Sequence, residues 1–166
     1  MTLTVRRART ADVAAIEGLL TPYVENRILL GKERVDLYEQ VQEFRVAANE
    51  SGELVGCGAV HVMWEDLAEV RSLAVTAASR GQGVGGAVLH GLISDARELG
   101  VSRLFCLTFE VEFFTRFGFL PVTDDLVDEE VFAQLIRSHD EGVAEFLDLA
   151  RVKPNTLGNT RMLLNL

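Results

Sequence analysis

From Leu3 to Ala8 apolar and polar positions alternate, the period of a half-buried strand. Thr10 then stands where a helix N-cap is expected, and Ile16, Leu19 and Leu20 recur at helical spacing, predicting a helix over about Ala11 to Leu20. Pro22 ends that helix or starts a second piece. Tyr23 to Leu30 and Val35 to Val41 read as short helical segments, with Lys32-Glu33-Arg34 on the loop between them. Three apolar runs follow, Glu43 to Asn49, Glu53 to Trp64 and Leu67 to Thr76, separated by the turn pairs Ser51-Gly52 and Glu65-Asp66. They predict an antiparallel meander. Val84, Val88, Leu92, Ile93, Ala96 and Leu99 then share one face of a helix that Gly100 stops. Ser102 to Thr108 is a buried strand, parallel to its predecessor because a helix crossover joins them. Val111 to Phe117 reads as a short helix closed by Gly118, and Phe119 to Val122 and Thr160 to Leu166 read as strands. The acidic stretches Asp124 to Glu130 and Asp140 to Asp148 suggest a solvated helical excursion, and Asn155 to Asn159 a turn. The expected class is α/β (α+β): a mixed, mostly antiparallel sheet flanked by helices, in one domain over 1–166.

Composition narrows the partners. The chain has 166 residues, 48% hydrophobic and 25% charged, which is ordinary for a globular domain. A net charge of -9 disfavours nucleic acid and anionic lipid as partners. It does not disfavour a phosphate held locally by backbone amides. No apolar run approaches the ~20 residues of a membrane span. The first residues lack the apolar stretch of a signal peptide. The two cysteines, Cys57 and Cys106, lie in apolar runs and suit a reducing, cytoplasmic setting. His61, His90 and His139 lack paired spacing, so no metal is expected.

The candidate chemistry begins at Gly81, Gly83, Gly85 and Gly86, crowded between a strand and a helix. Glycine lets the backbone come close to a ligand, and the amides of the first helical turn point outward with the helix dipole behind them. This is a cradle for a pyrophosphate. Gly81, Gly83 and Gly86 also fit the dinucleotide fingerprint G-x-G-x-x-G, with Glu110 as a ribose-binding acid. Against that, Ala77 to Arg80 separate the loop from its strand, the loop follows an antiparallel meander, and too little chain remains for a doubly wound sheet. No G-x-x-x-x-G-K-[ST] is present either.

Leu73-Ala74-Val75, Arg80-Gly81-Gln82-Gly83-Val84-Gly85 and Phe114-Thr115-Arg116-Phe117-Gly118-Phe119 resemble the GNAT superfamily of acyl-CoA N-acetyltransferases. The resemblance implies acetyl-CoA as cosubstrate, held at its pyrophosphate by the segment Arg80, Gly81, Gln82, Gly83, Val84, Gly85 and Gly86. It implies that the backbone of Leu73, Ala74 and Val75 binds the pantetheine arm where that strand splays from the Ser102–Thr108 strand. Arg27 to Arg34, Glu69, Leu104 to Thr108 and Gly118 to Val122 further resemble the acetyltransferase domain of N-acetylglutamate synthases. That implies a small amino-acid acceptor and the first step of arginine biosynthesis. The larger members of that group carry an amino-acid-kinase-like domain in front.

An acceptor amine must lose a proton before attacking a thioester, which calls for a base. Glu69 matches a catalytic glutamate of several GNAT members. Strand alternation puts Glu69, Arg71, Leu73 and Val75 on one face. Phe114 stands where many members carry the tyrosine that protonates the leaving thiolate, and it is grouped with the cofactor contacts. A phenyl ring donates no proton, so solvent or Thr108, which matches a serine/threonine position of the synthases, is left for that role. Carboxylates of the acceptor need cations. Lys32 and Arg34 match a basic pair of the synthases; Arg71 and Arg161 are further candidates. Direct attack in a ternary complex, with backbone amides stabilising the oxyanion, is the expected mechanism. A polyamine or protein N-terminus as acceptor, and a non-catalytic CoA sensor, remain alternatives. A homodimer is compatible with the sequence.

Overall fold

The computed structural model describes residues 2–147 and 158–166, and Asp148 and most of the turn expected at Asn155 to Asn159 lie outside them. Among these residues seven strands form one sheet in the order β1-β2-β3-β4-β5-β7-β6. They are β1 (Thr4–Arg7), β2 (Phe44–Ala48), β3 (Leu54–Trp64), β4 (Leu67–Val75), β5 (Arg103–Thr108), β6 (Leu120–Pro121) and β7 (Thr160–Asn165). Only β4 and β5 pair in parallel; every other neighbour is antiparallel. The meander, the crossover and the mixed, mostly antiparallel sheet are as the hydrophobic pattern implied.

Among the described residues six α-helices cover the sheet: α1 (Val13–Glu25), α2 (Arg34–Glu39), α3 (Val84–Leu99), α4 (Val111–Thr115), α5 (Glu129–Leu135) and α6 (Glu141–Phe146). On one face α3 buries Val84, Val88, Leu89, Leu92, Ile93 and Ala96 against the strands, with Phe114 and Phe119 beside it. The other face carries two separate clusters. α1 and α2 pack Ile16, Leu19, Leu20 and Leu37 on Phe44, Val46, Cys57 and Ala74. α5 and α6 pack Leu135, Val143 and Phe146 on Leu67 and Phe105. The gap between those two clusters holds polar side chains.

Several boundaries differ from the sequence pattern. The first helix is entered through a 3-10 turn whose cap is made by Asp12, which accepts the Arg9 N–H at 2.7 Å, and not by Thr10. It runs through Pro22 to Glu25 because Ile16, Leu19 and Leu20 are buried and Tyr23 is tied to β4, and these contacts outweigh one lost backbone hydrogen bond. After Glu25 the chain turns instead of staying helical: Arg27 has φ +57, a conformation no helix continues. Helix α2 begins at Arg34, so Lys32 and Glu33 remain on the loop. The acidic excursion is no solvated face, since Val143, Ala144 and Phe146 of α6 are buried.

The largest departure lies in β4. Cys57 pairs with Ala74 and Ala59 with Arg71, so Gly58 alone faces both Ser72 and Leu73. This is a β-bulge, and Ser72 carries φ +55 to make it. An extra residue flips the side chains beyond it to the opposite face. Glu69 and Arg71 therefore stay on the α1/α6 face, while Leu73 and Val75 turn to the α3 face. The single face expected for all four is corrected to two.

Candidate active site

β4 and β5 pair only at Leu67↔Arg103, Ala68↔Leu104 and Glu69↔Phe105, and then part. The bulge at Ser72 carries β4 away from its neighbour, so the opening begins where Glu69 ends the pairing. A cleft of about 50 Å³ lies over this point. It is lined by Lys32 and the preceding loop, by Glu69, Arg71 and Ser72, by Leu107, and by Glu141, Gly142 and Glu145 of α6.

Its polar groups form a chain of contacts. Glu69 is 4% exposed and accepts Arg71 Nε at 2.6 Å on Oε1. Arg71 Nη1 donates to both carboxylate oxygens of Asp140, at 2.8 and 2.9 Å. Gln40 Nε2 reaches Asp140 Oδ2 at 3.5 Å, and Gln40 Oε1 accepts Lys32 Nζ at 2.9 Å. Arg71 Nη2 is buried and has no partner among the described residues. A guanidinium nitrogen left without an acceptor is costly, so an anion that reached this one would be well rewarded.

Burial raises the Glu69 carboxyl above its ordinary range, against the opposing pull of Arg71. Such a carboxylate is a stronger base than a solvated one. For Asp140 burial also pushes up, but Arg71, then His61 and Lys32, outweigh it and hold the group below its usual value. The Lys32 ammonium is pulled down by burial, and Arg71 adds to the effect. His61, opposite Glu69 on β3, is itself bonded to Glu43 at 2.9 Å. The two cysteines offer no nucleophile. Both are buried free thiols; burial pushes Cys57 up to about 12 and shifts Cys106 in the same direction.

The glycine loop sits at the end of β4, on the side of α3. Gly81 and Gly83 have φ +76 and +80, which L side chains avoid. A Cβ at either would meet nothing within 4 Å, so the loop surface is open. The amides of Gly81, Gly83, Val84, Gly85 and Gly86 find no acceptor among the described residues, whereas Ala87 N–H already bonds Gly83. An open row of free amides at the start of a 16-residue helix fits a pyrophosphate. Beside it, the Tyr23 hydroxyl donates to Val75 O at 2.8 Å, accepts Val75 N–H at 3.3 Å, and lies 3.4 Å from Arg80 Nη2. Val75 thus turns both backbone groups to the free edge of β4, where an extended amide chain could exchange with Tyr23. Gln82 bonds back to Ala78 O and braces the turn.

Of the expected acceptor residues, Glu69, Arg71 and Lys32 come together on the cleft. Arg34 does not: it pairs with Glu17 of α1 on the surface, at 2.8 Å. Arg161 lies on β7, donates to Phe146 O and stacks over the Phe146 ring at 5.0 Å. Thr108 is buried further along β5, where its Oγ1 accepts Glu110 N–H at 2.8 Å. Phe114 is buried edge-on to Phe119, and Phe113 is the ring beside Gly85. Asp140, Gln40 and Tyr23 were missed by sequence reasoning. No motif marks them, and only the packing of α6, α2 and α1 brings them in. Among the described residues no metal-binding cluster is found and no helix is long and apolar enough to cross a membrane.

The pattern of the acetyltransferase (GNAT) family matches residues 13–119, from α1 through the glycine loop to Phe119. The chain belongs to the GNAT family. It is an acetyl-CoA-dependent N-acetyltransferase. An amino-acid acetyltransferase of Mycobacterium tuberculosis is 54% identical over 162 residues, covering 96% of this chain and 92% of that one. A crystal structure from the same organism, in complex with CoA and the compound NLQ, superposes with a TM-score of 0.95 at 54% identity over 98% of this chain and 99% of that chain. The N-acetylglutamate synthase of Neisseria gonorrhoeae, complexed with coenzyme A and N-acetyl-glutamate, matches with a TM-score of 0.78 at 25% identity. This GNAT chain is covered completely there but spans only 35% of that longer protein.

Proposed function

We propose that this chain, acting as one domain over 1–166, transfers the acetyl group of acetyl-CoA to the α-amine of L-glutamate or its close relative glutamine. The product would serve the first step of arginine biosynthesis, in the cytoplasm. The observation that carries the proposal is the Glu69–Arg71 pair at the parting of β4 and β5. It offers a buried base and an unpartnered guanidinium nitrogen on one cleft. The amino-acid acetyltransferase of M. tuberculosis, which spans nearly the same length, and the synthase structure holding N-acetyl-glutamate support the choice of acceptor.

In this mechanism acetyl-CoA supplies a thioester, with its pyrophosphate on the amides of Gly81 to Gly86 and its arm along Leu73 to Val75. Arg71 and Lys32 hold the acceptor's carboxylates; Arg161 and Arg34 are the weaker contributors, given the partners they already have. Glu69 takes the proton from the acceptor ammonium, directly or through water, and the freed amine attacks the thioester carbonyl. A C–N bond forms and the C–S bond breaks. The nitrogen sheds its second proton as the amide forms, and the thiolate takes one in exchange, relayed through the Thr108 hydroxyl or solvent, so that Thr108 ends as it began. A free thiolate is a good leaving group, so a weak acid suffices and Phe114 in the tyrosine position is tolerated.

Glu141 and Glu145 on the far wall would favour a cationic acceptor, and the test includes one. Purified protein is incubated with acetyl-CoA and each of a panel of amino acids and polyamines, and free thiol is followed. Release with glutamate or glutamine is expected. Release with spermidine alone would end the amino-acid reading, and no release with any acceptor would favour a CoA sensor.

A further inference from the structure

Arg71 is gripped from two sides. Glu69 holds Nε at 2.6 Å and Asp140 holds Nη1 with both oxygens. A guanidinium is planar and rigid, so fixing two of its nitrogens fixes the third. That third nitrogen, Nη2, is the unpartnered one, on a side chain only 8% exposed that lines the cleft. Asp140 also caps α6, accepting Val143 N–H at 2.9 Å on Oδ1. One carboxylate therefore anchors the helix and aims the guanidinium. Through Gln40 it is linked to Lys32, the second cation of the cleft.

Gly142 makes the arrangement sterically possible. A Cβ there would fall on Arg71 Nη2 and lie 2.7 Å from Cζ. Glycine weakens a helix by about 1 kcal/mol relative to alanine, so its place in the first turn of α6 calls for such a reason.

We propose that Asp140 is a positioning residue for the acceptor. Through Arg71 it directs Nη2 at the acceptor's carboxylate, and it makes the start of α6, with Gly142, one wall of the acceptor site. This rests on the amino-acid acceptor proposed above.

Asp140→Asn separates the two duties, because asparagine caps a helix as well as aspartate but carries no charge for Arg71. The expected result is a KM for the amino acid raised about tenfold or more, with the KM for acetyl-CoA within about twofold of wild type. Gly142→Ala should shift the same ratio in the same direction. Should Asp140→Asn fail to fold, the ratio measured on Gly142→Ala decides. An unchanged acceptor KM, or both KM values rising together, would overturn the proposal. Wild-type protein that releases thiol with no amino acid would instead overturn the acceptor reading. In that case a crystal structure of Asp140→Asn decides the positioning role: Arg71 displaced supports it, Arg71 unmoved refutes it.

Discussion

Glu69 is a carboxylate that folding has removed from water while leaving it on a cleft wall. Burial raises its proton affinity, and the Arg71 guanidinium limits how far. A base acts only when deprotonated, so kcat/KM should rise with pH through the folded-state pKa of Glu69, at a pH above the ordinary glutamate range. Replacing Glu69 by Gln is expected to lower kcat by roughly 10²-fold or more and to abolish that limb of the profile. Wild-type rates at every pH would remove Glu69 from the role. The same burial argument disposes of the cysteines, because a thiol held near pKa 12, as Cys57 is, supplies almost no thiolate at neutral pH.

Two backbone departures from regularity build the site at the scale of elements. The bulge at Ser72 lets β4 serve two faces, presenting Glu69 and Arg71 to the cleft and Leu73 and Val75 to the α3 side. The left-handed residues Gly81 and Gly83 then turn the chain so that the first-turn amides of α3 face open space. Valine at position 83 would be strained by roughly 1–2 kcal/mol of backbone energy, although its Cβ finds room. Gly83→Val is therefore expected to raise the KM for acetyl-CoA, by moving the amides and placing two methyl groups in the approach. The KM for the amino acid should change little. An acetyl-CoA KM equal to wild type in a folded variant would remove the cofactor from this loop.

Across the molecule, two apolar clusters flank one polar gap, and the gap is where the chemistry collects. The opposite face is held as a unit by α3. Its Asp95, 6% exposed, accepts Arg45 Nε at 2.7 Å from β2 and Arg7 Nη2 at 3.1 Å from β1. Gly91 gives Arg45 its path, since a Cβ there would come within 2.6 Å of Arg45 Cδ. Asp95→Ala strands Arg45 beside a helix, leaves Arg7 only Glu98 at 3.5 Å, and should cost about 2 kcal/mol, discounted for the exposure of Arg7. In a chain of this size that is a fall in Tm of roughly 4–8 °C, measurable by calorimetry. A change below about 1 °C would show that α3 is held by its apolar face alone.

Hydrophobic periodicity along the chain determined the strands of the meander, the long helix, its stop at Gly100 and the parallel step into β5, because each follows from local spacing and turn chemistry. The glycine loop was legible for the same reason: its glycines are visible in the residues themselves, and the structure makes of them an open turn with free amides at the start of α3. The acceptor side was only half legible. Glu69 and Lys32 could be read from the family resemblance and Arg71 from its alternation with Glu69, but Arg34 is engaged by Glu17, a residue far from it in the chain. Asp140 looked like one more solvated charge in an acidic stretch, and the fold makes it the partner of a guanidinium 69 positions away. The bulge was equally hidden, since a one-residue slip changes which face a side chain takes without changing the apolar pattern. Local order wrote the glycine loop into the sequence. Long-range packing of α1, α2 and α6 over β4 decided the polar cleft, because a buried ion network exists only where distant elements exclude water together.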